Sequence, residues 1–183
     1  ETHSVSGEYV VQCVSPQDVE TYHSFAYREA DTEGLRRDVE EALAMTRARA
    51  EAVKAPKAGK YAILLSGKHM NTLLSYYLSR SGTAMVYQKY SNYQIGTAAQ
   101  GEDIQGDALT IWLKAKDPYS FEGIPMKDRM LMEEGTLKTL HGGSRFAYYL
   151  GIEATGNYGC ISVPTGSRTL EELKAQPYLH VVS

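Results

Sequence analysis

The chain has 183 residues, enough for one sizeable core or for pieces of two smaller ones. Its 19 basic and 22 acidic residues leave a formal net charge of −3, spread without a long block of either sign, which removes any electrostatic case for nucleic-acid binding. No run approaches the roughly 18 consecutive apolar residues that span a bilayer, and no basic start followed by an apolar segment opens the chain, so neither membrane nor targeting signal is expected. Cys13 and Cys160 lie far apart without metal-type spacing and read as reduced core thiols, which fits a cytoplasmic protein. Both ends read as cut: no methionine opens the chain and a strand-like run, Tyr178–Ser183, closes it, so an internal fragment is expected.

In chain order, Glu8–Val14 is apolar and β-branched, Ser15–Asp18 is a turn, and Thr21–Arg28 alternates, with Tyr22, Ser24 and Ala26 opposed to His23, Phe25 and Tyr27. The pair reads as a hairpin. From Asp31 the pattern becomes helical: Asp31 or Thr32 caps, Leu35, Val39 and Leu43 follow a spacing of four, and Ala50 and Val53 continue that side to about Lys54. Ala55–Gly59 breaks the helix and forms a linker, and Lys60–Leu65 reads as a buried strand. This places a boundary between residues 1–57 and 58–183.

Met70–Arg80 is again helical, with Leu73, Leu74, Tyr77 and Leu78 as an apolar stripe expected to pack on Ala62–Leu65; Ser79–Gly82 ends it. Tyr87 to Gly106, rich in Tyr, Gln, Ser, Asn and Gly, predicts exposed loops carrying tyrosines. Ala108–Lys114 alternates as a strand, and Met130–Glu133 with Leu137–Leu140 around Glu134–Gly135 predicts a hairpin in which the glycine takes positive φ. Phe146–Leu150 reads as a short helix followed by glycine-rich turns. The fold class is α+β, a mixed, mainly antiparallel sheet with packed helices.

Gly59–Leu65, Leu73-Leu74, Gly96 with Gly101–Ile104, Asp117-Pro118, Glu122–Pro125, Glu134–Leu137, Thr155-Gly156-Asn157 and Gly166–Leu173, taken together, resemble the TldD/PmbA family, known also as modulators of DNA gyrase. Gly59–Leu65 is similar to the strand opening the family's C-terminal domain, and Leu73-Leu74 to the start of its metal-site helix. Gly96 with Gly101-Glu102-Asp103-Ile104 resembles the family's Gly-Glu motif before a strand, here Leu109–Leu113. Asp117-Pro118, Glu122-Gly123-Ile124-Pro125, the Glu134–Leu137 hairpin, Thr155-Gly156-Asn157 and Gly166–Leu173 follow in the family's order. Each motif alone is weak, but order and spacing make the match specific over Gly59–Ser183, and residues 1–57 resemble the family's middle region less closely. On this resemblance the chain lacks the N-terminal domain and the end of the C-terminal domain.

The resemblance implies a peptidase assembly. TldD-type subunits carry His-Glu-x-x-x-His on the metal-site helix, two imidazoles to hold zinc and a carboxylate to activate water. At those places this chain has Ser75, Tyr76 and Arg80, and serine, tyrosine and a permanently protonated guanidinium are poor or impossible zinc ligands. The chain therefore resembles the PmbA branch, also called TldE, which lacks the motif and partners the metal-bearing subunit. The expectation is a metal-free subunit with no cofactor or catalytic residue of its own, paired with a zinc-bearing TldD-type homologue or with itself, and acting on unfolded peptide. Tyr87, Tyr90, Tyr93, Asn157 and Tyr158 are the expected peptide or partner contacts, since tyrosine offers large area at low entropic cost. Glu122 and Asp128 are expected to be exposed there without a catalytic role.

Other chemistry has thinner support. His23, His69, His141 and His180 share no i, i+3 or i, i+4 relation, Ser66-Gly67 lacks the Gly-x-Ser-x-Gly elbow, and no glycine-rich stretch has the lysine of a phosphate loop. Cys160 between glycine turns, paired with a distant histidine, leaves an independent hydrolase or a non-standard metal site as the alternative. A self-associating binding protein is the third reading.

Overall fold

The computed structural model describes residues 3–101 and 103–181. Glu102 of the Gly-Glu motif, and Val182 and Ser183 of the closing run, lie outside the described residues. The chain divides into two compact units, residues 1–59 and 60–183.

In the first unit β1 (Val5–Cys13) and β2 (Val19–Tyr27) form an antiparallel hairpin in register from Val5 opposite Tyr27 to Cys13 opposite Val19. The helix α1 (Thr32–Ala50) packs on both strands. Asp31 caps it, its carboxylate accepting from the Gly34 N–H at 2.8 Å. The expected stripe is corrected in its middle: Leu35 and Val39 are half-buried and Ala50 is buried, but Leu43 is 52% exposed, and Ala42 and Thr46 carry the face instead. A step of four overshoots the 3.6-residue turn, so from Val39 the face takes a step of three to Ala42 and then steps of four to Thr46 and Ala50. The helix stops at Ala50 rather than Lys54, and Val53 lies beyond it in water.

Thr46 and Thr21 join helix and hairpin through a directed chain of hydrogen bonds. Thr46 donates its hydroxyl to the Ala42 carbonyl at 2.7 Å, so its oxygen accepts from Thr21 at 2.5 Å. Thr21, its proton spent, accepts from His23 Nε2 at 2.9 Å, and the His23 ring stacks on Tyr9. The Thr21 and Thr46 hydroxyls buried between helix and hairpin thereby both have partners.

The second unit runs β3 (Ile63–Leu65), α2 (Gly67–Arg80), α3 (Thr83–Tyr87), β4 (Ile111–Leu113), β5 (Arg129–Glu133), β6 (Thr136–Leu137), α4 (Ser144–Leu150), β7 (Ile161–Ser162), α5 (Leu170–Lys174) and β8 (Leu179–Val181). The strands β6, β5, β4 and β7 form an antiparallel sheet in that order, and β3 pairs in parallel with β8. The fold is α+β and mainly antiparallel.

Its core is the inner face of the four-stranded sheet. Ile111, Leu113, Leu131, Met132 and Leu137 are wholly buried, with Leu140, Tyr93 and Tyr158 beside them. Each aliphatic side chain so buried stabilises by about 1.5–3 kcal/mol. Tyr77 and Leu78 of α2 pack against this core. Their expected partner, a buried strand over Lys60–Leu65, is corrected to three residues with Ile63 53% exposed, too small a face to hold the stripe; Leu73 stays half exposed.

The 87–106 stretch is not uniformly exposed. Tyr87 and Tyr90 face water, but Tyr93 is buried and donates its hydroxyl to the Ala99 carbonyl at 3.2 Å. Burial, with Tyr76 and Tyr77 nearby, pushes its pKa up to about 12. The expected strand over Ala108–Lys114 shortens to β4, and the expected second arm Leu137–Leu140 is corrected to β6, which begins one residue earlier and shares only Leu137 with it. The turn between β5 and β6 puts Glu134 at φ 46° and Gly135 at φ 75°, the two positive values that match hairpin twist. The closing turns contain a helix that the glycine-rich reading missed: Thr169 accepts from the Glu172 N–H at 3.2 Å while Glu172 accepts from the Thr169 N–H at 2.7 Å, a capping box that starts α5.

Candidate functional site

The segments 114–126, 143 and 156–159, distant in sequence, wall one cavity of about 280 Å³ in the second unit. Its outer wall is a tight turn that follows β4. Tyr119 bridges to Pro125, the Ser120 N–H donates to the Ile124 carbonyl at 2.8 Å, and the Met126 N–H donates to the Pro118 carbonyl at 2.9 Å. The Ser120 hydroxyl oxygen accepts from the Glu122 and Ile124 N–H groups at 3.2 and 3.1 Å. Asp117-Pro118 and Glu122-Gly123-Ile124-Pro125 thus have a local reason: they build a turn whose backbone groups satisfy one another.

Glu122 fastens that turn to α4. Its carboxylate accepts from the Ser144 N–H at 2.7 Å, at the positive end of the helix, and this bond holds its pKa below the ordinary 4.5. The opposite wall is fixed by close packing. Gly142 accepts from the Thr155 and Gly156 N–H groups at 3.2 and 3.0 Å, and a Cβ on it would stand 1.8 Å from the Thr83 hydroxyl oxygen. Only glycine lets these segments approach so closely.

Two of the expected contact residues meet here and three do not. Asn157 is exposed in the cavity wall, while Tyr158 is 5% exposed and donates its hydroxyl to the Lys127 carbonyl at 2.6 Å, a part of the wall rather than a contact surface. Tyr87 is bound into a ring cluster with Phe146 and Tyr149, Tyr90 is exposed outside the cavity, and Tyr93 lies in the core. Sequence reading missed Tyr119 and Phe121, which the turn holds at 61% and 107% exposure. Their signal was two large aromatic residues inside an otherwise polar turn.

One buried imidazole joins this wall to α2. His141 bonds through Nε2 to the Leu78 carbonyl at 2.9 Å, and its Nδ1 accepts from the Tyr158 N–H at 3.4 Å. A carbonyl only accepts, so the ring is neutral with its proton on Nε2. Burial drives its pKa below the ordinary 6.5, with the Leu78 bond opposing in part.

On α2, Ser75 donates to the Thr72 carbonyl at 2.9 Å and Tyr76 is 54% exposed. The Arg80 guanidinium donates to the Tyr90 carbonyl and lies 5.8 Å from the Tyr76 ring centroid. These side chains do not fit a zinc ion: one is a fixed cation and the other two are weak donors. Among the described residues no group of three or more His, Cys, Asp or Glu lies close enough to hold a metal. Cys13 and Cys160 are free and partly exposed rather than core thiols, and no histidine is hydrogen-bonded to Cys160 among the described residues. No helix among them is long and apolar enough to cross a membrane.

Residues 58–176 match the family model described as the PmbA/TldA metallopeptidase C-terminal domain. The chain belongs to the PmbA/TldD family. A solved structure from Bacteroides thetaiotaomicron, named as a modulator of DNA gyrase, is 19% identical with a TM-score of 0.73 over 94% of this chain and 40% of its own. A second of that name, from Thermotoga maritima, is 18% identical with a TM-score of 0.72 over 91% of this chain and 41% of its own. A third, named TldE, from Thermococcus kodakarensis, is 20% identical with a TM-score of 0.69 over 93% and 42%. This PmbA/TldD chain therefore spans about two fifths of the length of the solved relatives. No curated protein matches it.

Proposed function

We propose that this chain belongs to a non-catalytic, metal-free subunit of a PmbA/TldD-type metallopeptidase complex, cytoplasmic and acting on unfolded peptide, whose zinc is held by a partner subunit bearing His-Glu-x-x-x-His. One observation carries the reading. At the place of the second histidine, Arg80 is bonded to the Tyr90 carbonyl and stacked on Tyr76, so the helix end presents a fixed positive charge. A guanidinium repels Zn²⁺ and does not release its proton, so no change of pH restores a donor there. The name TldE of one similar structure agrees with the branch that lacks the motif.

Zinc content by elemental analysis tests it, on the full-length protein purified alone and after co-expression with its nearest His-Glu-x-x-x-His homologue. Zinc appearing only with the homologue, in a complex that survives gel filtration, is the expected result. Stoichiometric zinc in the lone protein overturns the reading and assigns the metal to histidines or Cys160.

A further inference from the structure

Phe121 is wholly exposed and Tyr119 nearly two-thirds so, and both line the 280 Å³ cavity. A single exposed ring is ordinary on a protein surface. This pair differs because the turn beneath it is fixed: Ser120, Glu122, Gly123, Ile124 and Met126 spend their N–H groups within the turn, and Glu122 is anchored on Ser144. The backbone that carries the rings is held rather than left as a loose loop, and a held backbone lowers the cost of taking a ligand.

The lining also says what kind of ligand. Lys114 is paired with Asp128, and Glu122 is committed to α4. That leaves Lys116 and Asp117, adjacent and opposite in sign, so the cavity offers no net charge to an ionic group. Its volume lies just below the about 300–1,000 Å³ of sites that enclose a whole small molecule. It is large enough for one side chain.

We propose that this cavity receives one uncharged apolar side chain, aromatic or long aliphatic, of an extended peptide, with Phe121 and Tyr119 as its stacking faces and the Asn157 amide placed to bond the peptide backbone. The peptide as occupant rests on the function proposed above; the apolar preference rests on the lining alone.

The test is fluorescence anisotropy on the full-length protein with three labelled peptides, Gly-Ser-Gly-X-Gly-Ser-Gly, where X is Phe, Ser or Glu. The Phe peptide binds and the Ser and Glu peptides bind about tenfold more weakly. Phe121→Ala weakens the Phe peptide by about tenfold, Phe121→Leu by no more than about threefold, and Tyr148→Ala, on an exposed ring outside the cavity, leaves it unchanged. Both Phe121 variants alter a side chain with no packing to lose, and thermal melts confirm that they fold. Equal binding of the three peptides, or an unchanged affinity in Phe121→Ala, overturns the proposal. So does a Phe121→Ala variant that keeps peptide affinity but loses its homologue or its second copy in sedimentation, which makes the turn a subunit contact. Zinc does not enter this readout. Selective peptide binding without zinc transfer to the complex sinks only the subunit reading, and zinc without peptide selectivity sinks only the cavity.

Discussion

At His141 a single ring decides how α2 meets the cavity wall. It must stay neutral to donate to Leu78 and accept from Tyr158 at once, and a second proton on Nδ1 breaks the latter bond inside a buried site. The sign of the pH effect follows. The folded-state pKa is depressed below 6.5, so the unfolded chain binds the proton more readily, and the ring's contribution is complete above 6.5 and lost as pH falls below it. Urea melts across that range are expected to show stability dropping with pH, and His141→Gln is expected to flatten the drop while costing about 1–3 kcal/mol for the Tyr158 N–H left unpaired. Equal slopes in both proteins count against the neutral tautomer. Histidine as a residue type gave no hint of this role, because the role depends on partners 63 and 17 positions away.

Elements are held here by close approach more than by length. The strands of the four-stranded sheet run to five residues at most, and the contact between the Gly142 segment and α3 leaves no room for a methyl group. Gly142→Ala is expected to cost about 1–3 kcal/mol in urea or thermal melts, because the Thr83 hydroxyl it meets is buried. Thr83→Ala in the same chain should recover part of that loss, since the nearest remaining Thr83 atom would then be Cβ at 3.0 Å. No recovery would place the strain elsewhere. The Glu134–Gly135 turn was legible because a glycine between alternating runs is a local signal, whereas the positive φ at Glu134 was not foreseen. The extents of β4 and β6 were not, because in both a polar or bent continuation keeps the alternating pattern after the ladder has ended.

For the whole molecule, the exposed stretch after α1 separates two units, and Lys54, Lys57 and Lys60 lie on it. Trypsin is expected to cut there first, leaving fragments that mass spectrometry resolves to residues near 1–57 and 58–183; earlier cuts inside either unit count against that division. The sequence by itself determined the first hairpin, the start of α1 at Asp31 or Thr32, the β5–β6 turn, the family, and the substitution of Ser75, Tyr76 and Arg80 for a zinc motif. The structural elements among these are set by residues close in sequence, the lost zinc motif by side-chain identity alone, and the family by the order and spacing of short motifs along Gly59–Ser183. Only the tertiary structure decided that Tyr93 and Tyr158 are buried while Tyr119 and Phe121 stand in water, and that segments 114–126, 143 and 156–159 share one cavity. A tyrosine serves equally in a core or at a surface once its hydroxyl finds a carbonyl, so its place is settled by which distant backbone arrives beside it.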